Sequence, residues 1–269
     1  MDFVQLTDKQ RHDFETDGFL VVPQAIELDT VKRLIEASDR LMRTTTDDPH
    51  PVNIYAYRRE GVVGDAAFDP LISNSHVVPL IVQLLSTNIH LHTATLIYKK
   101  PHKTVPARAW HRDIGISNDL GHAGLPRVGI KACYCLTNFL EPNSGMTLMA
   151  RGSHHHSDPP VIPDGEADPP NVFEPRLCAG DAILFENRVF HTAAPNLSNR
   201  ISKVAIYGYA YRWMKPDVYL DVPDQEALSR ASDDVERQLL GAYRKVDAPP
   251  HALNSWAKEH GIRRRPTLG

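Results

Sequence analysis

The stretch GDAILFENRVFH, which runs from Gly180 to His191, combines a turn with a run of residues typical of a buried strand. Gly-Asp is a common turn pair, and the apolar run that follows it fits a β-strand inside a sheet protein. We predict strands at 182–186 and 188–192. The second of these strands would carry His191 at its far end.

Further strand-like runs lie on both sides of this stretch, and proline, glycine and asparagine separate them. The predicted strands are at about 91–99, 106–113, 129–138, 145–149 and 201–213. The polar segments 114–126 and 155–172 are rich in glycine, proline and aspartate. Loops of this length are often lids or rims, so we expect them to border a binding site.

Helical patterns flank the strands. Thr7, with Gln10 three residues later, has the pattern of a helix cap. A short strand follows at 20–23, and further helices are predicted at about 28–44, 77–85 and 223–242. Helices followed by seven or eight short strands predict an α+β protein with a jelly-roll core.

The length of 269 residues fits a single large domain, and we assign all of residues 1–269 to it. Residues 1–89 would form a mainly helical cover, residues 90–213 the jelly-roll core, and residues 214–269 a C-terminal helical extension. The chain contains no internal repeat.

The composition excludes several classes of partner. Lysine and arginine number 30 against 33 acidic residues, for a net charge of −3, so nucleic acid is not an expected partner. Apolar runs are too short to cross a bilayer, and the N-terminus lacks a signal-peptide pattern. Three cysteines imply no disulfide framework. We therefore expect a cytoplasmic protein without a membrane partner.

The motif Trp110-His111-Arg112-Asp113 places a histidine and an aspartate two residues apart. In a strand, residues two apart lie on the same face. Two imidazoles and one carboxylate on one face of an octahedron are the ligands of non-haem iron(II) oxygenases. His111 and Asp113 are therefore candidate ligands, and the third would be a histidine from elsewhere in the chain.

His191 is our candidate for the third ligand among the 14 histidines. The triplet at 154–156 follows Gly152-Ser153 at the entrance of a loop, where we expect a turn and mostly solvated imidazoles. His191, in contrast, follows the buried run that begins after Gly180-Asp181.

A pair of polar residues follows His191. Pro195 and Asn196 predict a hairpin turn, after which Arg200 and Ser202 would begin the next strand on a shared face. A guanidinium that faced the interior would need an anionic partner, because a buried unpaired charge is very costly. A dicarboxylate ligand would supply that partner, with Arg200 and Ser202 donating to its distal carboxylate.

Together these motifs resemble the phytanoyl-CoA dioxygenase-like family of iron(II)/2-oxoglutarate-dependent oxygenases. The resemblance covers most of the chain. The matching stretches are Leu6–Val22, Lys100-Pro101, Trp110–Asp113, Asn143-Ser144-Gly145, Gly152-Ser153-His154, Gly180–His191, Asn196 and Arg200. One departure is Arg151, where the family usually has proline before Gly-Ser-His.

The family implies a double-stranded β-helix core of the cupin type with iron(II) at its mouth. It implies His111, Asp113 and His191 as the metal ligands. It also implies 2-oxoglutarate and dioxygen as cosubstrates, with the C5 carboxylate of 2-oxoglutarate on Arg200 and Ser202.

Three further positions follow from the resemblance. Arg108 stands where relatives often place a polar residue near the C1 carboxylate of 2-oxoglutarate, and the alternative is a solvent-facing loop residue. Tyr134 stands where the family can place an aromatic ring against the cosubstrate, and Leu96 would line the same pocket. For Tyr134 and Leu96 the alternative is ordinary barrel packing.

The reaction that the resemblance implies is hydroxylation of a small organic molecule, such as an intermediate of specialised (natural-product) metabolism. Alternatives with the same cofactors are desaturation, epoxidation and rearrangement. A non-catalytic jelly-roll binding protein and a zinc hydrolase are further alternatives, but the hydrolase gives Arg200 no role. Related halogenases carry a small residue in place of Asp113, so its presence argues against halogenation. Tyr55, Tyr57, Arg58 and Arg59 would line the pocket or form a solvated basic turn.

Overall fold

The computed structural model of the protein describes residues 3–43, 55–102, 108–113, 120–217, 220, 223–242 and 252–262. The helices in these ranges are α1 (Asp8–Asp17), α2 (Leu28–Arg43), α3 (Asp69–Ile72), α4 (Val78–Leu84), α5 (Gln225–Arg230), α6 (Asp234–Leu239) and α7 (Ala252–Glu259). The strands are β1 (Phe19–Val22), β2 (Tyr55–Arg58), β3 (Ile89–Lys99), β4 (Gly129–Cys135), β5 (Thr147–Ala150), β6 (Val172–Phe173), β7 (Ala182–Glu186), β8 (His191–Ala193) and β9 (Ser202–Tyr211). Short 3-10 helices lie at Ala66–Phe68 and Ser153–His155.

Helix α1 begins and ends as its sequence predicts. The Thr7 hydroxyl accepts a hydrogen bond from the Gln10 amide, and the Gln10 side chain accepts one from the Thr7 amide at 3.0 Å. This capping box satisfies donors that a helix start leaves free. Gly18 ends the helix with φ of +86°, a left-handed conformation that glycine adopts without strain.

Two antiparallel sheets face each other. The larger has the strand order β1-β7-β4-β9-β3-β2, and the smaller has the order β6-β5-β8. The N-terminal segment therefore supplies two strands, β1 and β2, to the larger sheet in addition to its helices. This arrangement confirms the predicted jelly roll with flanking helices.

The larger sheet is apolar on both faces. Its inner face packs against the smaller sheet through a cluster that includes Cys133, Cys135, Met149 and Phe185. Its outer face packs under the helices in a second cluster that runs from Leu6 to Ala257 in the sequence. Alternation along a strand decides which residues point inward, so the inner face of β4 carries Lys131, Cys133 and Cys135.

Several predicted elements need correction. β2 occupies the predicted basic turn, where Tyr57 and Arg58 pair with β3 instead of standing in a loop. β6 was not predicted. The strand placed at 188–192 is shifted, because β7 ends at Glu186 and a turn precedes β8, which His191 begins. Of the strand predicted at 106–113, residues 106 and 107 lie outside the described residues, as do residues 114–119 of the first loop.

No helix within the described ranges is long and apolar enough to cross a membrane.

Candidate metal centre

Backbone hydrogen bonds bring the three candidate ligands together. His111 and His191 form an antiparallel bridge, each amide donating to the carbonyl of the other at 3.0 Å. The Asp113 amide donates to the Asn187 carbonyl at 3.2 Å, in the turn between β7 and β8. One potential ligand atom of each of the three side chains lies within 4.8 Å of those of the other two. The spacing of two residues thus places His111 and Asp113 on one side of the segment, as predicted.

The hydrogen bonds of the two imidazoles fix which nitrogen is free. Nδ1 of His111 donates to the Ala109 carbonyl at 2.8 Å, and Nδ1 of His191 donates to the Val189 carbonyl at 3.0 Å. A carbonyl oxygen accepts only, so each Nδ1 carries the proton and each Nε2 keeps its lone pair. Burial lowers the pKa of His191 to about 4, which keeps this ring neutral at pH 7.

Asp113 presents one oxygen to the protein and one to the other ligands. Its Oδ1 accepts a hydrogen bond from Lys131 Nζ at 2.6 Å. Its Oδ2 is buried without a hydrogen-bond partner in the described part of the chain, and lies 3.4 Å from His191 Nε2. A buried carboxylate oxygen without a donor is costly, and a cation between these atoms would satisfy it. The donor set therefore fits a divalent metal ion.

The surrounding charges keep Asp113 ionised. Burial by itself would raise the pKa of this carboxyl, but the nearby Lys131 ammonium holds it well below its usual range. Lys131 comes from the inner face of β4 and was not among the predicted site residues. A lysine in an alternating strand has no sequence signal that distinguishes this position from a surface one.

Arg112, between the two ligands of the motif, points away from them and ties their segment to its surroundings. Its guanidinium donates to the carbonyls of Arg188 (2.6 Å), Ser153 (2.8 Å) and His156 (2.6 Å), and also to that of His122 (3.2 Å). It also lies over the Phe190 ring at 4.3 Å. These contacts position His111 and Asp113 independently of any metal.

Arg112→Lys is expected to weaken metal binding by about 10–100-fold, the range for partners that orient ligands. An ammonium group cannot reproduce the planar array of donors, although it keeps the charge. Competition with a chromophoric chelator for nickel(II) measures the affinity. Arg176→Lys, a half-exposed arginine elsewhere, serves as the control. Equal affinities in both variants would show that Arg112 does not hold the ligand segment.

Arg108 lies near the predicted site and makes a partly buried ion pair. It donates to both carboxylate oxygens of Asp168, Nε at 2.8 Å and Nη2 at 3.0 Å, and its Nη1 is buried without a partner in the described residues. This pair fastens the loop 156–171 beside the ligand segment. The role of Arg108 toward a cosubstrate stays a prediction.

Tyr134 and Leu96 do not line the jelly-roll interior. Both belong to the cluster between the larger sheet and the helices, and Tyr134 is fully buried against Tyr207 there. The Tyr134 hydroxyl approaches the Leu71 carbonyl at 3.5 Å. The structure therefore supports the packing alternative for these two residues.

Arg200 and Ser202 are not together in the interior. Arg200 is exposed in the turn before β9 and donates to the Asn138 carbonyl at 3.2 Å. The premise that its guanidinium faces the interior is wrong, because β9 begins only at Ser202. Ser202 is buried, and it pairs with Lys99 of β3. Lys99, which the sequence analysis did not single out, is also buried.

The triplet at 154–156 does not join the metal centre. Nε2 of His154 and Nε2 of His155 both contact the Glu15 carbonyl, at 3.0 and 2.8 Å. His154 is buried, and burial lowers its pKa, whereas His155 and His156 are exposed. The tight turn at Ser153–His155 and the exposure of two of the three imidazoles agree with the predicted turn and mostly solvated histidines, and His154 is the buried exception.

A jelly roll that carries two imidazoles and one carboxylate on neighbouring segments defines the class of iron(II)- and 2-oxoglutarate-dependent oxygenases. The sequence places the protein more closely within that class. The chain belongs to the phytanoyl-CoA dioxygenase (PhyH) family, whose model matches residues 14–205.

Solved structures share the fold at low sequence identity. HygX from Streptomyces hygroscopicus, with nickel, 2-oxoglutarate and hygromycin B bound, has a TM-score of 0.65 at 18% identity, covering 87% of this chain and 100% of its own. The epimerase SnoN, in complex with Fe3+, alpha ketoglutarate and nogalamycin RO, gives 0.60 at 17%, covering 76% and 83%. The carbocyclase SnoK from nogalamycin biosynthesis gives 0.61 at 15%, covering 77% and 85%. No curated protein matches the sequence.

Proposed function

We propose that this enzyme uses iron(II) and 2-oxoglutarate to oxidise a small organic molecule, most simply by hydroxylation. The observation that carries the proposal is the convergence of two Nε2 lone pairs and a buried, unsatisfied carboxylate oxygen. Two imidazoles and one carboxylate leave coordination positions open for other ligands, which suits non-haem iron(II). A structural zinc site would instead be closed by four protein ligands.

The residues of the chain have separable roles in this proposal. His111, Asp113 and His191 would hold the metal, and Lys131 would keep the Asp113 carboxylate ionised and oriented. When bound, iron(II) and 2-oxoglutarate supply the oxidation of a C–H bond by dioxygen, with succinate and carbon dioxide as coproducts. The protein contributes the position of the metal and the exclusion of water on its buried side, where Phe185 packs against His191 at 4.8 Å between ring centroids.

The proposed substrate is a small molecule of the natural-product type. HygX and SnoN share the fold with such molecules bound, which supports this class. The loop 156–171 would border the substrate, because Asp168 anchors it beside the ligand segment through Arg108. Epimerisation and ring closure, which the names of SnoN and SnoK report for those proteins, belong to the same cofactor chemistry as the alternatives of desaturation and rearrangement.

The proposed compartment is the reducing cytoplasm. Cys133, Cys135 and Cys178 are free thiols, and the first two are buried in the jelly-roll interior.

The test is a visible spectrum recorded without oxygen. Addition of 2-oxoglutarate to the iron(II)-loaded wild type is expected to produce the weak metal-to-ligand charge-transfer band of a chelated 2-oxo acid. His111→Ala should lose the band. Its absence from wild type with iron shown to be bound would contradict the proposal. Once the band is established, mass analysis of products from candidate substrates distinguishes hydroxylation from desaturation or rearrangement.

A further inference from the structure

Lys99 is a buried cation at the end of β3. Its side chain points into the jelly roll, and the residue is 5% exposed. Among the described residues, its ammonium has one hydrogen-bond acceptor, the Gly145 carbonyl at 2.6 Å. Burial lowers the pKa of Lys99 to about 8, while Cys133 raises it and Arg108 lowers it further. An ammonium has three donors, so two of them have no acceptor within the part of the chain that the structure describes.

Other buried or partly buried cations in the described ranges have more ion-pair or hydrogen-bond partners than Lys99. Arg108 pairs with Asp168, and Lys131 pairs with Asp113. Arg112 has no carboxylate partner but donates to four carbonyls. Lys99 has neither a carboxylate partner among the described residues nor a set of carbonyls. An isolated charge in such a place is costly, and an anionic ligand would offset that cost.

A hydroxyl stands next to this ammonium. Lys99 and Ser202 are directly paired residues of β3 and β9, and both point inward. The Ser202 hydroxyl lies so close to Gly145 that a Cβ at that glycine would overlap it. Gly145 also has φ of +95°, a conformation that other residues adopt only with strain. The glycine therefore lets an ammonium and a hydroxyl share one small space.

This space lies further along the chain segment of β5 than the strand pair that holds His191. His191 pairs with Met149, and two residues further along the same strands Ala193 pairs with Thr147. Two residues of strand span about 6.6 Å, and the Gly145 carbonyl that accepts from Lys99 lies two residues beyond Thr147 in the sequence. Cys133 lies on the same inner face, and its thiol interacts electrostatically with Lys99. Residues on the inner faces of β5 and β4 therefore lie between the candidate metal centre and the Lys99 ammonium.

We infer that Lys99, assisted by Ser202, binds the distal carboxylate of 2-oxoglutarate, in place of the exposed Arg200. The inference rests on the proposed function and assigns the cation that it requires. The ammonium forms an ion pair with the carboxylate at the closed end of the jelly roll, and the Ser202 hydroxyl donates a second hydrogen bond.

The test compares two 2-oxo acids that differ only in the distal group. Calorimetry on the full-length protein loaded with nickel(II) measures the dissociation constants of 2-oxoglutarate and of 2-oxopentanoate, which has a methyl group in place of the distal carboxylate. Wild type is expected to prefer 2-oxoglutarate strongly. Lys99→Met should raise the dissociation constant of 2-oxoglutarate by at least ~30-fold, the lower bound for a broken buried charge pair. The constant for 2-oxopentanoate should stay nearly unchanged, so the preference should disappear.

The controls separate this role from general damage. Lys100→Met makes the same change at the neighbouring exposed lysine and should keep the wild-type preference. Arg200→Gln should also keep it. A normal nickel affinity of Lys99→Met verifies that its metal centre is intact. If Lys99→Met does not fold, Ser202→Ala provides the test, with a smaller selective loss of 2-oxoglutarate affinity expected.

The outcomes distinguish the two proposals. Retention of the preference in Lys99→Met, or its loss in Arg200→Gln, would overturn the assignment of Lys99 and leave the proposed function standing. Failure of nickel-loaded wild type to bind either 2-oxo acid would overturn the proposed function and the assignment with it.

Discussion

His191→Ala is expected to lower metal affinity by at least ~100-fold, beyond the ~10–100-fold typical of residues that only orient ligands. The imidazole is buried, neutral at pH 7 and fixed by the Val189 carbonyl, so its Nε2 lone pair is ready to bind a metal. Its removal leaves His111 and Asp113 as two ligands on one short segment. Titration with nickel(II) against a competing chelator measures the loss.

His156→Ala is the matched control, because it removes an exposed histidine that is not one of the three candidate ligands. Its nickel affinity should equal that of the wild type. Thermal unfolding of both variants shows whether each is folded at the temperature of the titration. A folded His191→Ala protein with wild-type affinity would exclude His191 as a ligand.

Glu186→Gln is expected to destabilise the protein by about 3 kcal/mol, the lower end for breaking a buried ion pair. The Glu186 side chain is fully buried and accepts hydrogen bonds from Arg127 and Arg188. A neutral amide would leave two guanidinium groups without this charge, although Arg127 would keep Glu15 at 2.7 Å. In a chain of this size the loss corresponds to a fall in Tm of roughly 6–12 °C.

Urea unfolding measures this change in the free energy of unfolding. Asp13→Asn removes an exposed partner of Lys9 within α1 and should cost less than about 0.5 kcal/mol. If Glu186→Gln lowers the free energy of unfolding by no more than Asp13→Asn does, the buried ion pairs of Glu186 contribute little net stability. Since Glu186 begins the turn that leads to His191, the stability of this turn and the position of the ligand are linked.

Sequence patterns predicted that His111, Asp113 and His191 would lie together, because local rules suffice at these three positions. The two-residue period of an extended segment is enough to place His111 and Asp113 on one face. The buried, strand-like run before His191 is enough to predict that this histidine lies inside the sheet protein. The error of treating 188–192 as one strand did not affect the choice of His191. The turn after Glu186 changes the direction of the chain but still delivers the histidine to the bridge with His111.

The candidate cosubstrate residues were harder to predict, because local rules do not reveal which face of a sheet lies inside the jelly roll. Tyr134 and Leu96 alternate correctly along their strands, but the larger sheet is apolar on both faces and these two residues lie under the helices. Arg200 was assigned to a strand that begins two residues later. Lys99 stands beside Lys100 at a strand end, where a lysine pair suggests exposure. Only the three-dimensional structure, in which Lys99 and Ser202 both lie against Gly145, reveals that Lys99 is an interior residue.

The loop 156–171 is fastened to the same framework as the metal ligands. Its start follows histidines held by the Glu15 carbonyl, its end runs into β6, which pairs with β5, and Asp168 is held by Arg108. The residues between these attachment points, 157–167, are mostly exposed and contribute little to either hydrophobic cluster. Mutations there could therefore accumulate in evolution at low cost to folding or to metal binding. Such a segment offers a lineage a route to new substrates, and an engineer a region to randomise while the oxidative chemistry is retained.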